Sequence, residues 1–446
     1  MPATSINIFL ISSSIQSRLL FNLVMSSYSP STNAIQRRWR RLSQGWQGVD
    51  WLLFLLPVGV TAFSSILIAS TQRAGETSFA INHALLGVIG AVLALWISRS
   101  RYEVLLQWRW IIYGATIASL IAVMAVGTEG LGAQRWISIF GFNVQPSEFA
   151  KLGAIITLAA TLKDRDAPTL YGMVKAIAIT SVPWALVFLQ PDLGTSLVFG
   201  AIVVGMLYWS GTNPGWLILM ISPLVSAIVF HISFPVWIVW VLAMGVVAFR
   251  SLPWWSWYSA IVAIAVNLGS GKLGEIMWGL LKDYQKDRLI LFLDPDKDPL
   301  GGGYHLIQSR IAIGAGELWG RGLFHGTQTQ LSFIPEQHTD FIFSAVGEEL
   351  GFVGGMALLI AFWLICLRLV MIAQNAKDNF GSLLAVGVLS MIVFQAIVNI
   401  CMTIGLAPIT GIPLPWMSYG RSALLTNFIA IGLVESVANY RFRLKF

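Results

Sequence analysis

Charged residues are scarce in this sequence. Only 11% of the 446 residues are Asp, Glu, Lys or Arg, and 56% are hydrophobic, whereas an ordinary soluble domain is roughly a quarter charged. This composition excludes a water-soluble fold. Because a helix needs about 20 apolar residues to cross a bilayer, the chain can supply roughly ten or more spans. The sequence therefore predicts an all-α polytopic membrane protein.

Cysteine is equally rare. The two cysteines, Cys366 and Cys401, lie inside apolar segments, which excludes a disulfide framework and a cysteine-based metal site. The sequence also lacks an HExxH pair, a Ser-centred nucleophile elbow and a phosphate-binding loop. Residues 294–305 resemble a calcium loop, but Pro299 replaces the required glycine and His305 replaces the bidentate glutamate. We therefore expect no dedicated metal site.

Apolar segments predict twelve candidate spans. They are residues 49–70, 80–98, 110–127, 147–162, 172–189, 193–209, 215–232, 234–249, 254–269, 341–372, 381–406 and 421–438. When the spans are threaded alternately from a cytoplasmic N-terminus, the short outer loops contain only Arg73, Arg135 and Arg421, and the other short-loop Lys and Arg residues fall inside. The positive-inside rule therefore predicts that both termini are cytoplasmic.

The longest polar regions lie at the N-terminus and within the chain. We expect residues 1–45 to form a mostly disordered cytoplasmic tail, followed by one membrane domain over residues 46–446. The large extracytoplasmic loop, residues 270–340, is far longer than a usual connection, which favours a folded cap or binding surface. Within this loop, Ile276–Leu293 mixes aromatic and basic residues and predicts a helix lying at the membrane interface. The apolar patch Ile6–Ile11 is too short to span, and it lacks the flanking features of a signal peptide.

The first outer segment with candidate chemistry precedes the fourth predicted span. Pro146 is typical of a first helical turn, so a helix begins near the outer interface. Glu148 and Lys151 then share one helix face. Ionisable groups at membrane depth usually mark a functional path, and the alternative is a self-neutralising interfacial pair. Arg135 and Trp136, just upstream, form either an interfacial anchor or a site for a phosphate and a sugar.

Two acidic residues follow in later outer segments. Asp192, in the string QPDLGTS, either caps the next helix or lines the same cavity. Asp340 precedes a long apolar helix, where a carboxylate near an apolar wall and a cation such as Lys151 suits a general base. The alternative for Asp340 is a helix cap. His338 is either a structural hydrogen-bonding residue or a ligand.

The last outer segment, residues 405–427, contains three prolines and Gly411, which predict an irregular re-entrant path. Backbone without helical structure occurs at membrane depth only where it is buried in protein or lines a cavity. Ser418 and Arg421 lie at the start of the last predicted helix. A helix N-terminus beside an arginine suits an anion such as a diphosphate.

These segments together resemble the SEDS family (shape, elongation, division and sporulation), and specifically its RodA branch. The resemblance extends from about Val49 to the C-terminus and rests on GAQRW, QPSEFAK, QPDLGTS, DPLGGGYHLIQSRIAIGAGELWGRG, GTQTQLSFIPEQHTDFIF, GEELG and PLPWMSYGRS, in this order. The strings FLDPDKDPLGGGYH and HGTQTQLSFIPE favour the RodA branch over its division counterpart FtsW.

The resemblance implies an all-α membrane fold of about 10–12 transmembrane helices with a large extracytoplasmic loop and a distantly GT-C-like glycosyltransferase architecture. It implies a peptidoglycan glycosyltransferase of the bacterial cytoplasmic membrane, which polymerises lipid II on the outer face during cell elongation. The implied partners are a class B penicillin-binding protein and the elongation machinery, with no nucleic acid. A divalent cation, Mg or Mn, is a further expectation.

The resemblance also implies site residues. The family's essential acidic residue falls on Asp340, its partner lysine on Lys151, and the tryptophan of its first outer loop on Trp136. Asp340 and Lys151 are therefore the expected catalytic residues. The expected substrate-binding residues are Arg135, Trp136, Glu148, Asp192, His338, Ser418 and Arg421.

The chain departs from the family pattern in its number of spans. Family members usually have about ten spans, and the surplus here is a Trp-rich pair at Phe234–Gly269. Because a pair of spans preserves the topology of everything downstream, the outer face stays the catalytic face. A lipid II flippase or transporter is the main alternative, since buried ionisable residues and broken helices also mark transporters. A division-specific FtsW-type polymerase and a non-enzymatic scaffold for a transpeptidase are further alternatives.

Overall fold

Helices make up most of the regular structure. A computed structural model describes residues 48–72, 78–130, 133–139, 142–164, 169–252, 256–280, 283–293, 297–298, 303–331, 333–335 and 337–441. The predicted tail over residues 1–45 therefore lies outside the described residues. The chain divides into two compact units, Met1–Val49 and Asp50–Phe446, and everything below concerns the second.

Each of the twelve predicted spans is a helix. These helices are α1 (Trp51–Thr71), α2 (Ser78–Ser98), α3 (Glu103–Val126), α4 (Pro146–Leu162), α5 (Leu170–Leu189), α6 (Leu193–Trp209), α7 (Pro214–Ile232), α8 (Phe234–Ser251), α9 (Ser256–Leu280), α13 (Ile342–Gln374), α14 (Asn379–Ile404) and α15 (Arg421–Tyr440). Among the described residues between α9 and α13, the structure has three shorter helices, α10 (Asp283–Leu293), α11 (Tyr304–Ala315) and α12 (Thr327–Gln330).

Within the described residues, nine helices are long and apolar enough to cross a membrane. The other three predicted spans are α4, α6 and α9. The first two have 17 residues each, and α9 has 25 residues that include Lys272 and Glu275. The all-α polytopic prediction is therefore confirmed.

The structure divides the predicted interfacial helix, Ile276–Leu293, between two helices. The sequence pattern ends the ninth predicted span at residue 269 and starts a separate interfacial helix at Ile276, but α9 continues to Leu280, and α10 is a second helix. Small residues explain the extension. A Cβ atom at Gly271 would meet the Phe230 ring at 3.1 Å, and one at Gly274 would meet Ala227 at 3.1 Å. The glycines therefore allow α9 to continue in close contact with α7.

A small antiparallel sheet covers the approach to α4. It consists of β1 (Thr128–Gly130), β2 (Ala133–Ile139) and β3 (Phe142–Val144), in the order β1-β2-β3. Strand β2 pairs with both neighbours, so the segment between α3 and α4 is a meander rather than an irregular loop. Strand β3 ends at Val144, and α4 begins two residues later at Pro146.

The helices differ in how much of their surface is buried. In α15, 83% of the most apolar stretch is buried, against 11% in α3, so α15 lies at the centre and α3 at the periphery. Close contacts explain this position. A Cβ at Gly432 would meet the Ala94 backbone at 2.8 Å, and one at Gly90 would meet the Phe428 ring. The main apolar core is formed largely by side chains of α4, α6, α13, α14 and α15.

Candidate active site

The start of α4 holds a buried ion pair. Pro146 occupies the first helical position, as predicted, and Glu148 lies in the first turn. The Lys151 ammonium donates to Glu148 Oε2 at 2.8 Å, and the two side chains are only 1% and 3% exposed. The predicted sharing of one helix face is therefore confirmed, and each charge has its counter-charge within the protein.

Gln145, the N-cap of α4, joins three helix N-termini. Its backbone N–H donates to Ser422 Oγ at 2.9 Å, in the first turn of α15. Its side-chain amide donates to Asp192 Oδ2 at 3.1 Å, and Asp192 is the N-cap of α6. Helix N-termini carry partial positive charge, so three such ends, brought together, form a region that favours anions.

Asp192 caps the N-terminus of α6. This was one of the two roles that the sequence analysis considered for it. Its Oδ1 accepts from the Thr195 backbone N–H at 3.2 Å, while its Oδ2 accepts from Gln145. Both carboxylate oxygens therefore have donors within the protein. The predicted role of Asp192 in substrate binding stays a prediction.

Arg135 connects the sheet to the turn before α6. It lies in β2, and its Nε donates to the Gln190 carbonyl at 3.4 Å, while its Nη2 donates to the Pro191 carbonyl. The neighbouring Trp136 is half-buried, and its carbonyl accepts from Thr128 Oγ1 at 3.1 Å. The structure therefore places Arg135 beside the region where the three helix N-termini meet, and Trp136 follows it in β2.

Asp340 lies two residues before Ile342, the first residue of α13. The N-cap residue is Phe341, and its side chain makes no capping hydrogen bond. The Asp340 carbonyl accepts from the side-chain amide of Asn399 at 2.9 Å. A Cβ atom at Gly411 would lie 3.5 Å from Asp340 Oδ2 and 3.6 Å from Arg288 Nη1. The Asp340 carboxylate and the Arg288 guanidinium of α10 therefore both lie beside the backbone of Gly411.

His338 is held by aromatic stacking and by its own backbone. Its ring stacks on Phe79 with a centroid separation of 4.7 Å and an interplanar angle of 17°. Its carbonyl accepts from the Tyr419 backbone N–H at 2.8 Å. The Tyr419 hydroxyl in turn accepts from Arg421 Nε at 3.3 Å. These contacts connect the end of the large loop to the start of α15.

The segment between α14 and α15 has no regular secondary structure, as predicted. Its path uses left-handed backbone at Gly411 (φ 72°) and at Trp416 (φ 58°). The Ser418 hydroxyl accepts from the Leu414 backbone N–H at 2.8 Å, so its observed contact stabilises a turn. Arg421 is the first residue of α15, as the sequence pattern predicted.

Two glutamates deeper in α13 stabilise the large loop. Glu348 accepts from the backbone N–H groups of Gln328 and Thr329 at 2.7 and 2.9 Å, which fixes α12. Glu349 accepts from the Ser70 hydroxyl of α1 at 2.5 Å. Both glutamates are fully buried, and these contacts to α12 and α1 are those of structural residues.

The acidic side chains do not form a metal centre in the part of the chain that the structure describes. No group of three or more His, Cys, Asp or Glu side chains there is arranged to hold an ion. The expectation of a Mg or Mn ion stays a prediction.

Sequence analysis missed several residues that organise this site. Gln145 begins the string QPSEFAK but was not singled out, Asn399 is a neutral amide outside the quoted strings, and Phe79 lies in an apolar helix. Arg288 was noted only as a charge on an interfacial helix. The usable signal was polarity, since Asn399 is a buried amide near the end of a largely apolar span.

The N-termini of α2, α4, α6, α13 and α15 and the C-terminus of α14 meet through these contacts. The fold and site define a multi-pass membrane protein with a polar, anion-favouring centre at one end of its helix bundle. The family model described as FTSW_RODA_SPOVE, cell cycle protein, matches residues 48–239 and 235–442. The chain belongs to this family.

Individual relatives match over nearly the same range. The chain is 34% identical to the peptidoglycan glycosyltransferase MrdB of Escherichia coli K12 over 397 residues, which cover 88% of this chain and 94% of the relative. It is 35% identical to the peptidoglycan glycosyltransferase RodA of Treponema pallidum over 430 residues, covering 88% and 98%. A chain in a solved peptidoglycan synthase complex that coordinates polymerization and crosslinking matches with a TM-score of 0.68 and 27% identity, covering 89% of this chain and all of that one.

Proposed function

We propose that this protein is a peptidoglycan glycosyltransferase that polymerises lipid II into glycan strands for cell elongation. The observation that carries the proposal is that three helix N-termini meet beside Arg135 and Arg421. Tyr419, which accepts a hydrogen bond from Arg421, connects this region to the segment that contains His338 and Asp340. Such an arrangement suits a reaction in which a diphosphate leaves while a hydroxyl loses its proton. The names of the relatives support the same activity.

Asp340 is the general base of the proposed reaction. A growing lipid-diphosphate-linked glycan is the donor, and the sugar 4-hydroxyl of an incoming lipid II is the acceptor. As the hydroxyl oxygen attacks the donor's anomeric carbon, its proton passes to the Asp340 carboxylate. The bond from the anomeric carbon to the diphosphate oxygen breaks with inversion, and undecaprenyl diphosphate leaves. The reaction needs no covalent enzyme intermediate.

Cationic side chains stabilise the leaving diphosphate. Arg135 and Arg421 lie at the joined helix ends, and Lys151 lies one turn into α4. Because negative charge grows on the diphosphate as the bond breaks, these cations lower the energy of the transition state more than that of the bound substrate. Glu148 sets the position of the Lys151 ammonium through their ion pair. Trp136 and His338 provide rings against which a sugar or lipid head group can pack.

The proposed site faces the outside of the bacterial cytoplasmic membrane, with both chain termini in the cytoplasm. The distribution of Lys and Arg in the short loops supports this orientation. A class B penicillin-binding protein is the proposed partner, because the solved synthase complex contains a chain similar to this one. A divalent cation, Mg or Mn, would neutralise part of the charge of the diphosphate.

The experiment that tests the function compares polymerisation with translocation. Purified protein is reconstituted into vesicles that contain fluorescent lipid II, alone and with the transpeptidase partner. We expect glycan polymer on a gel and no increase in labelled lipid II accessible on the opposite leaflet. Translocation without polymer would favour the flippase alternative, and partner binding with neither activity would favour the scaffold alternative.

A further inference from the structure

The buried side-chain amide of Asn399, on α14, binds the backbone of Asp340 and the backbone of the re-entrant segment between α14 and α15. Asn399 lies one turn before the end of α14 and has no exposed surface. Its Nδ2 donates to the Asp340 carbonyl at 2.9 Å and to the Ile412 carbonyl at 2.8 Å. One side chain therefore connects the end of the large loop to the re-entrant segment.

The re-entrant segment lies against the Asp340 carboxylate at this point. Gly411 precedes Ile412 and has a φ of 72°, and a Cβ there would lie 3.5 Å from Asp340 Oδ2. The Asn399 amide therefore holds the backbone on both sides of the position that the carboxylate occupies. If the two segments moved relative to each other, the Asp340 carboxylate would move away from the Gly411 backbone.

An amide is well suited to this position. Its NH2 group carries two hydrogens, so one nitrogen can donate to two carbonyls. A buried carbonyl that loses its donor pays a desolvation cost that water cannot relieve. The apolar side chain of similar shape, Leu, would leave both carbonyls without this donor.

We propose that Asn399 is a positioning residue for glycan transfer, which holds Asp340 in register with the re-entrant segment. The inference rests on the proposed function, because it takes Asp340 as the base. Asn399 itself does not contact substrate. It acts by fixing the distance between the base and the acceptor hydroxyl, and a misplacement of about 1 Å can cost about a hundredfold in rate.

The variants that test the proposal are matched in shape. Asn399→Leu keeps the branched outline and removes both donated hydrogen bonds. The control is Gln395→Leu. Gln395 lies one turn earlier on the same helix, is equally buried, and makes no side-chain hydrogen bond.

We expect Asn399→Leu to lower kcat for lipid II polymerisation by about 10- to 100-fold, with KM for lipid II changed less than about threefold. Gln395→Leu should stay near the wild type. A kcat of Asn399→Leu within about twofold of the Gln395→Leu control would overturn the proposal. So would equal losses in both Leu variants, since those would report only general packing.

A second measurement does not depend on activity. Amide hydrogen exchange in residues 337–344 and 411–419 should accelerate about tenfold in Asn399→Leu but not in Gln395→Leu. Unchanged exchange in both segments would refute the role of Asn399 even if the protein proved inactive. If exchange accelerates but the wild type forms no polymer, the proposed function fails while the structural connection stands.

Discussion

Breaking the ion pair at the start of α4 should destabilise the protein strongly. The Glu148 and Lys151 charges lie 2.8 Å apart with side-chain exposures of 3% and 1%. Lys151→Met would leave the Glu148 carboxylate buried without its partner, and loss of one member of a buried pair costs about 3–5 kcal/mol. Glu148→Gln leaves the ammonium unpaired, so its expected cost is of the same order.

The double variant Glu148→Gln/Lys151→Met separates the structural role from the catalytic one. Replacing a whole buried ion pair with neutral groups is often neutral or stabilising. We therefore expect the double variant to recover most of the stability that either single variant loses. It should nevertheless remain inactive, because the cation that stabilises the leaving diphosphate is gone.

Stability is measured as the free energy of unfolding by denaturant in detergent micelles, and activity as lipid II polymerised. The control is Lys163→Met, which removes an exposed ion pair with Asp164 at 3.0 Å and should cost less than about 1 kcal/mol. A double variant as unstable as the single variants would refute the ion-pair reasoning. A double variant with wild-type polymerisation would show that Lys151 is structural only.

Three further predictions concern the framework of the site. Gly351→Ala should destabilise the protein by at least about 1–3 kcal/mol, because its φ is 64° and a Cβ would lie 2.3 Å from the Gly320 nitrogen; an unchanged thermal midpoint would contradict this. Asp192→Ala should cost about 0.5–2 kcal/mol through the lost α6 cap, and Asp192→Asn clearly less, when both are compared by denaturant unfolding. Glu348→Gln should weaken the backbone hydrogen bonds that hold α12, each worth about 1.5–3 kcal/mol, so limited proteolysis should cleave residues 316–331 faster. Equal cleavage of variant and wild type would argue against that role.

Local chemistry made part of this structure predictable. The apolar segments identified every long helix because spanning a bilayer demands continuous apolar residues. Pro146 marked the start of α4, and the spacing of Glu148 and Lys151 placed them on one face, where they form an ion pair. The prolines and Gly411 marked the irregular segment. In each case the signal lies within one short stretch of sequence.

Contacts between distant segments were not predictable in the same way. Gln145 contacts residues 192 and 422, and Asn399 contacts residues 340 and 412, but neither amide has a spacing rule that reveals its partners. The extension of α9 beyond residue 269 was missed because Lys272 and Glu275 lower its hydropathy. Helix α9 nevertheless continues, because its glycines allow it to pack closely against α7. Such packing between distant segments is not visible in the local hydropathy pattern.

The central claim is that Asp340 is the base of a lipid II polymerase. The most direct test compares the wild type with Asp340→Asn, which has nearly the same shape but no basic carboxylate, in polymerisation of purified lipid II with the transpeptidase partner bound. The account predicts polymer from the wild type and a loss of at least about 100-fold in the variant, with lipid II binding and thermal stability retained. Normal polymerisation by a correctly folded Asp340→Asn protein would contradict it.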